Sequence, residues 1–261
     1  MSEHRTHKAK KSLGQNFLNS PKALRQIIEA SHLTEKDLVL EVGPGKGALT
    51  EKLLETGATI LAIEKDRELI PYLTEKFAHY IKAKKFTLVE ADILEYTLPK
   101  NISSYKLVAN IPYYITGAII RKYLDGDVQP THMTLLVQKE VAERMIARDK
   151  KESLLSLAVK AYGTPKIISV VPRGAFAPAP SVDSAIITIE TISHKNFKNK
   201  THEKKFFELI HKGFAHKRKT LWHNLDSMYN EEKEIFFVKN NLDKKVRAED
   251  ITIKKWIEIS K

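Results

Sequence analysis

From residue 37 onward, short apolar runs alternate with longer stretches of helical spacing. "DLVLEVG" (37–43) is the first run, and 48–55 follows with apolar positions at helical intervals. "TILAIEK" (59–65) is the second, with a helix predicted over 67–80. "FTLVEAD" (86–92), "YKLVANI" (105–111) and "THMTLLVQ" (131–138) continue the series. Runs of this length read as buried strands, and strands alternating with helices predict a parallel sheet covered on both faces. Right-handed crossovers make such a sheet doubly wound.

After a helix predicted over 154–162 the pattern changes. "KIISVV" (166–171) and "VDSAIITIE" (182–190) are separated by the Pro- and Gly-containing "PRGAFAPAPS" instead of a helix. The expectation is an antiparallel pair at a sheet edge. Residues 191–201 are polar and basic and read as a linker. Helical spacing returns over 206–214, 220–228 and 232–238, and "KKWIEIS" ends the series. The expected organisation is an α/β domain over 1–193 and a small helical domain over 194–261.

Charge and composition narrow the function. The chain has 261 residues, 44 Lys and Arg against 32 Asp and Glu, and a net charge of +12. Nine of those cations fall between His194 and Thr220 against two acids, and Lys8, Lys10 and Lys11 form a second cluster. Such clustering suits a polyanionic partner such as RNA or DNA. The absence of cysteine excludes a disulfide scaffold, Cys-ligated zinc and a thiol nucleophile. No apolar run approaches the ~20 residues that span a bilayer. No apolar segment follows the basic N-terminal residues, so a secretory signal is not expected. The expected location is cytoplasmic. The ten histidines show no metal spacing, and no metal is expected.

Five features carry candidate chemistry. "EVGPGKGALT" (41–50) leaves a strand and opens a helix, and Gly43 and Gly45 permit a tight turn with close approach of the backbone to a ligand. Its spacing fits both the G-x-G-x-G of methyltransferases and the pattern of NAD enzymes. Glu64 ends the next strand, where a carboxylate accepts from ribose hydroxyls. Asp92 ends the third strand and is placed for the exocyclic amine of an adenine, with Ile93 against the ring; a plain turn Asp is the competing reading.

"NIPY" (110–113) closes the fourth strand, at the crevice where doubly wound sheets bind ligands. The Asn110 side-chain oxygen and the carbonyl of Ile111 or Pro112 are acceptors, and Tyr113 and Tyr114 offer flat faces for a base. Two acceptors beside an aromatic platform suit a planar exocyclic amine, whose lone pair is released when both N–H groups are bonded. A nicotinamide enzyme has no use for that turn, so S-adenosylmethionine (SAM) is the expected cofactor. Phe176, in "AFAPAPSVDS" (175–184), is expected to be exposed and to stack on an unpaired base; the competing reading plugs the core with it.

Together these residues resemble the ribosomal RNA adenine N6-dimethyltransferase family over nearly the whole chain. "KKSLGQNFL" (10–18) resembles its N-terminal cofactor motif, and "FAPAPSVDSAI" the loop and strand after the catalytic turn. The resemblance implies a doubly wound, seven-stranded, Rossmann-like SAM-dependent methyltransferase domain followed by a small C-terminal helical domain. "GQNFL", "GFAHKRKTLWHNL" (213–225) and "NLDKKVRAEDIT" (241–252) resemble the small-subunit type more than the large-subunit resistance type. That type implies dimethylation of two adjacent adenosines near the 3′ end of 16S rRNA in the small ribosomal subunit, by a monomer. Gln15, Asn16, Leu18 and Gly43, with Glu64, Asp92 and Asn110, are then the SAM contacts. Asn110 also touches the target amine, and Tyr113 and Phe176 sandwich the flipped base. Lys217, Arg218 and Lys219 are expected on RNA phosphate. Tyr114 and the Gly117–Ala118 pair depart from the family pattern. The alternatives are the large-subunit enzyme and a ribosome-assembly factor whose catalysis is secondary.

Overall fold

The computed structural model describes residues 9–10, 13–229 and 232–261. Lys8, Lys11 and Ser12, which the sequence reading included, lie outside the described residues. Nine strands are present among the described residues: β1 (Phe17–Leu18), β2 (Leu38–Val42), β3 (Thr59–Glu64), β4 (Phe86–Glu90), β5 (Lys106–Asn110), β6 (His132–Gln138), β7 (Thr164–Val171), β8 (Phe176–Ala177) and β9 (Ser184–Glu190). The helices are α1 (Pro21–Ser31), α2 (Ala48–Glu55), α3 (Ile70–Lys76), α4 (Ala78–Lys82), α5 (Thr116–Leu124), α6 (Lys139–Ile146), α7 (Leu154–Tyr162), α8 (Lys200–Gly213), α9 (Leu221–Asn224), α10 (Asp226–Tyr229), α11 (Lys233–Lys239) and α12 (Ile253–Ile259).

Seven strands form one sheet in the order β4-β3-β2-β5-β6-β9-β7. The five from β4 to β6 are parallel, and β9 runs antiparallel to β6 with Leu136 opposite Ile186. The late pair thus occupies one edge, as the helix-free connection between them implied. β2, β3, β5 and β6 are largely apolar and buried, because covered parallel strands have no solvent face to supply alternation, whereas β4 at the sheet edge fully buries only Phe86. Strand order reverses between β3 and β5 on either side of β2, which opens a crevice at the carboxyl ends of β2 and β5.

The helix expected over 67–80 is two helices. Pro71 lies in the first turn of α3, and the chain leaves helical geometry at Phe77 (φ −107°, ψ 17°). Phe77 is 2% exposed and packs edge-on to Phe86 at 5.1 Å, so core packing sets the break. The stretch expected over 206–214 starts earlier, at Lys200, because the Asn199 side chain accepts from His202 N–H at 2.9 Å and caps the helix. The stretch expected over 220–228 is divided into α9 and α10. The short antiparallel pair β1–β8 was not foreseen.

The chain divides into two compact units. One takes the chain up to Ala142 with Lys166–Ile192, and the other takes Glu143–Pro165 with Ser193–Lys261. The last passage between units falls beside the expected boundary at 193/194, but α7 belongs to the helical unit. Tyr162 explains this: its hydroxyl donates to Glu203 Oε1 at 2.6 Å, and its ring packs on Phe197 and Phe207.

Candidate active site

The crevice becomes a cleft lined by the glycine turn, the ends of β3 and β5, the loop after β4 and the segment 13–19. It brings together Gln15, Asn16, Leu18, Gly43, Gly45, Glu64, Asp92, Ile93, Asn110 and Tyr113. Gly43 N–H donates to Ile63 O at 2.9 Å, so the turn is tied to β3. Gly45 has φ +59°, and a Cβ there would meet the Phe17 ring at 3.0 Å. Both its backbone conformation and the close ring therefore call for glycine.

Glu64 is 5% exposed. Its Oε2 accepts from Gly45 N–H at 3.0 Å and its Oε1 from Asp66 N–H at 2.8 Å. Burial raises its pKa above the ordinary value, against the pull of those backbone donors. The carboxylate thus braces the glycine turn while keeping lone pairs for a ligand. Asp92 accepts from Lys65 Nζ at 2.7 Å and from Leu94 N–H at 2.9 Å. The lysine first, and the backbone donor second, hold its pKa below the ordinary range. The turn-Asp reading and the ligand reading are therefore compatible: the turn fixes the side chain at the cleft wall.

Asn110 ends β5, and its Nδ2 donates to Asn16 O at 3.1 Å. That bond leaves Oδ1 as the acceptor on a cleft residue. Of the two carbonyls considered, that of Pro112 already accepts from Ile115 N–H at 3.1 Å and keeps one lone pair, and that of Ile111 is the other candidate acceptor. Tyr113 is half-buried, its hydroxyl is 2.7 Å from Ser184 Oγ, and burial raises its pKa. The ring is thereby fixed in orientation.

Two expectations need correction or refinement. Phe176 is not exposed: it is 5% exposed, pairs with Leu18 across β1–β8, and joins the core with Val171 and Ile186. The extended pairing turns its side chain inward, and it is not among the cleft residues. Gln15 lines the cleft, but its amide is engaged: Oε1 accepts from Lys10 N–H at 2.7 Å and Nε2 donates to Asp66 Oδ2 at 2.8 Å. Asp66 is 2% exposed; burial works against its charge, but the bonds from Lys10 and Gln15 hold its pKa low. This network fastens the N-terminal segment to the end of β3.

Sequence reasoning missed Glu41. It is 1% exposed, Oε2 accepts from Thr50 Oγ1 at 2.8 Å, and Oε1 has no partner although the residue lines the cleft. A carboxyl inside the apolar run "LVLEV" was the available signal. Burial pushes its pKa up to about 8 from 4.5. Between those values the folded protein keeps a proton that the unfolded chain has released, so stability falls as pH rises from 4.5 to 8 and levels above it. Without added SAM, Glu41→Gln is expected to melt higher than wild type by a margin that grows over this window. The margin should reach roughly 10 °C near pH 8. Thermal melts from pH 5 to 9 check it; a pH-independent margin would remove the assignment.

Among the described residues no group of three or more His, Cys, Asp or Glu is placed to hold a metal ion. The family model for ribosomal RNA adenine dimethylase matches residues 6–261. The chain belongs to that family. This rRNA adenine dimethylase is similar to the ribosomal RNA small subunit methyltransferase A of Dehalococcoides mccartyi strain CBDB1, 43% identical over 98% of this chain and 89% of that protein. A relative of the same name from Fusobacterium nucleatum is 40% identical over 97% of both chains. Among solved structures, a Plasmodium falciparum dimethyladenosine transferase is 25% identical, with a TM-score of 0.77 over 93% of this chain and 95% of that one. The 23S rRNA methyltransferase ErmE, 24% identical with a TM-score of 0.77 over 94% and 98%, shares the fold. The dimethylase is thus an enzyme of rRNA adenine methylation that uses SAM as methyl donor, on a Rossmann-like sheet.

Proposed function

We propose that the cleft holds SAM along the glycine turn and presents Asn110–Tyr113 to the N6 amine of adenosine in small-subunit rRNA. The observation that carries this reading is the Asn110 amide, tied through Nδ2 to Asn16 O so that Oδ1 serves as acceptor. Gly43 and Gly45 would lie against the methionine part of SAM, Glu64 against the ribose, and Asp92 and Ile93 against the adenine. The partnerless Oε1 of Glu41 supplies a further polar atom for the bound cofactor. SAM supplies a sulfonium methyl that is already electrophilic and loses its positive charge on transfer.

The protein's part is positioning and polarisation. An adenine amine is a poor nucleophile because its lone pair is delocalised into the ring. Asn110 Oδ1 and the carbonyl of Ile111 or Pro112 accept its two N–H groups, which favours a pyramidal nitrogen. Tyr113, anchored by Ser184, stacks on the ring of a base extruded from its stack. Phe176 completes a sandwich only if its ring leaves the core, so Tyr113 carries the stacking.

The name shared by relatives 38–43% identical supports 16S rRNA in the small subunit as the substrate. The family resemblance extends this to two adjacent adenosines near the 3′ end. Purified protein given methyl-labelled SAM and unmethylated small subunits should yield N6,N6-dimethyladenosine, with none from large-subunit RNA in parallel. Label only in large-subunit RNA would overturn the substrate assignment.

The helical unit is proposed to contact RNA, and the enzyme to act as a cytoplasmic monomer. No helix among the described residues is long and apolar enough to cross a membrane. Lys217, Arg218 and Lys219 are exposed between α8 and α9, and Lys219 is near enough to Asp226 to help hold that carboxyl below its ordinary range, after the larger effect of Lys233. Arg247 Nη2 donates to Lys217 O at 2.6 Å and steadies the loop. Replacing all three with alanine should weaken subunit binding and flatten the log–log salt dependence by about 2 to 3. An unchanged slope in binding titrations between low and moderate salt would show that they are solvated surface.

A further inference from the structure

The short turn that carries Tyr113 also carries a second tyrosine with the opposite environment. Tyr114 is 61% exposed and lines the cleft beside Lys65 and Asp92. A ring left open to water forgoes the gain of burial. The ring is nevertheless backed by protein along one edge. Its Cδ1 and Cε1 lie so close to Gly14 that a Cβ there would meet both at 3.2 Å, and Gly14 has φ +61°. One turn further on stand Gly117 and Ala118, both exposed, and a Cβ on Gly117 would meet nothing within 4 Å. Small residues at those positions leave space beside the ring. Lys65, with its side chain 54% exposed, adds a cation at the same mouth.

We propose that Tyr114 is a stacking platform for the unpaired base next to the target adenosine in the RNA. The proposal rests on the reading of the cleft given above and extends it to a neighbouring subsite. Extruding the target removes a stacking partner from its neighbour, which then presents a bare face at the cleft mouth. An aromatic ring accepts any base by its π-face, so the subsite adds affinity and register without reading sequence. The buttress at Gly14 lowers the ordering cost, because the ring is held before RNA arrives. Lys65 Nζ is paired with Asp92 at 2.7 Å and keeps two further N–H donors for a backbone phosphate beside the stacked base.

The test compares wild type, Tyr114→Ala and Tyr114→Phe on unmethylated small subunits. SAM affinity is measured separately by calorimetry. The alanine variant should raise KM for the subunit about 10-fold, within the range for loss of one base–aromatic stack. It should leave SAM affinity unchanged, and the phenylalanine variant should behave as wild type. Subunits assembled with RNA that is abasic at either neighbour of the target provide the second arm. At one neighbour the difference between wild type and Tyr114→Ala should vanish. An unchanged KM in Tyr114→Ala, equal loss in both variants, or a loss that persists on both abasic substrates would each overturn the stacking subsite while the cleft reading stands. A wild-type protein that transfers no methyl group to any rRNA would overturn the cleft reading and the subsite with it.

Discussion

Replacing Asn110 with alanine is expected to lower kcat for methyl transfer by about 100- to 1000-fold while the protein stays folded. The side chain is half-buried and makes one bond inside the protein, from Nδ2 to Asn16 O, so the loss to stability should be about 1 kcal/mol. The loss to chemistry is larger, because Oδ1 is one of two acceptors that favour the reactive form of the amine. SAM binding should weaken far less than turnover, since the glycine turn and Glu64 are untouched. Asn110→Asp separates the contributions. It keeps an acceptor but sets a carboxylate oxygen against the Asn16 carbonyl, so the side chain loses its tether and part of its orientation. An intermediate rate is expected. Single-turnover rates on unmethylated small subunits, beside SAM affinities for the same variants, check both. Turnover of Asn110→Ala within threefold of wild type would remove the residue from catalysis.

Glu64→Ala should weaken SAM binding by about 100-fold. The carboxylate holds two backbone donors, Gly45 N–H at 3.0 Å and Asp66 N–H at 2.8 Å, at the place where the proposed ribose lies. Its removal takes away a charged acceptor for the ligand and also frees the turn that shapes the cleft. Each charge-assisted bond contributes about 1.5–3 kcal/mol, so the loss of one or two gives this scale. Glu64→Gln keeps the shape and one acceptor oxygen, and should lose roughly 10-fold. Because burial raises the Glu64 pKa, affinity should fall on acidification from a higher pH than an ordinary glutamate would give. The carboxylate is the binding form, so affinity is greatest above that pKa and declines below it. Calorimetric titration with SAM across pH decides the matter. Wild-type affinity in Glu64→Ala would withdraw the ribose assignment.

The α/β alternation, the glycine turn and the strand-end positions of Glu64 and Asn110 were legible in the sequence because each depends on local signals, whereas Asp92, expected to end its strand, lies two residues beyond β4 in the loop that follows. Buried parallel strands announce themselves as short apolar runs, and a polar residue that ends such a run is placed by the strand itself. The switch point then follows from strand order, and the crevice from the switch point. Glu41 was legible in principle as a lone acid inside such a run, but its burial and partnerless oxygen depend on what covers β2. The broken helix at Phe77 and the early start of α8 were less visible. One is set by a ring inserted among core residues, the other by a cap outside the apolar repeat.

Phe176 shows the boundary most clearly. Proline-rich flanks and loop composition suggested an exposed ring, yet antiparallel pairing with Leu18, 158 positions earlier in the chain, turned it into the core. No local pattern encodes a partner so distant. Gln15 is similar: its position at the cleft came from a motif, whereas its engagement with Asp66 and Lys10 depends on where the N-terminal segment docks on β3. The assignment of α7 to the helical unit rests on Tyr162 meeting Glu203, again across a long separation. The alternation of strands and helices, the glycine turn and the polar groups that end β3 and β5 follow from the amino-acid order alone, because periodicity and strand termination are local. Strand order, the side chains that face the cleft, those held by neighbours and the unit that claims α7 emerge only on folding, because they depend on non-local pairing and burial.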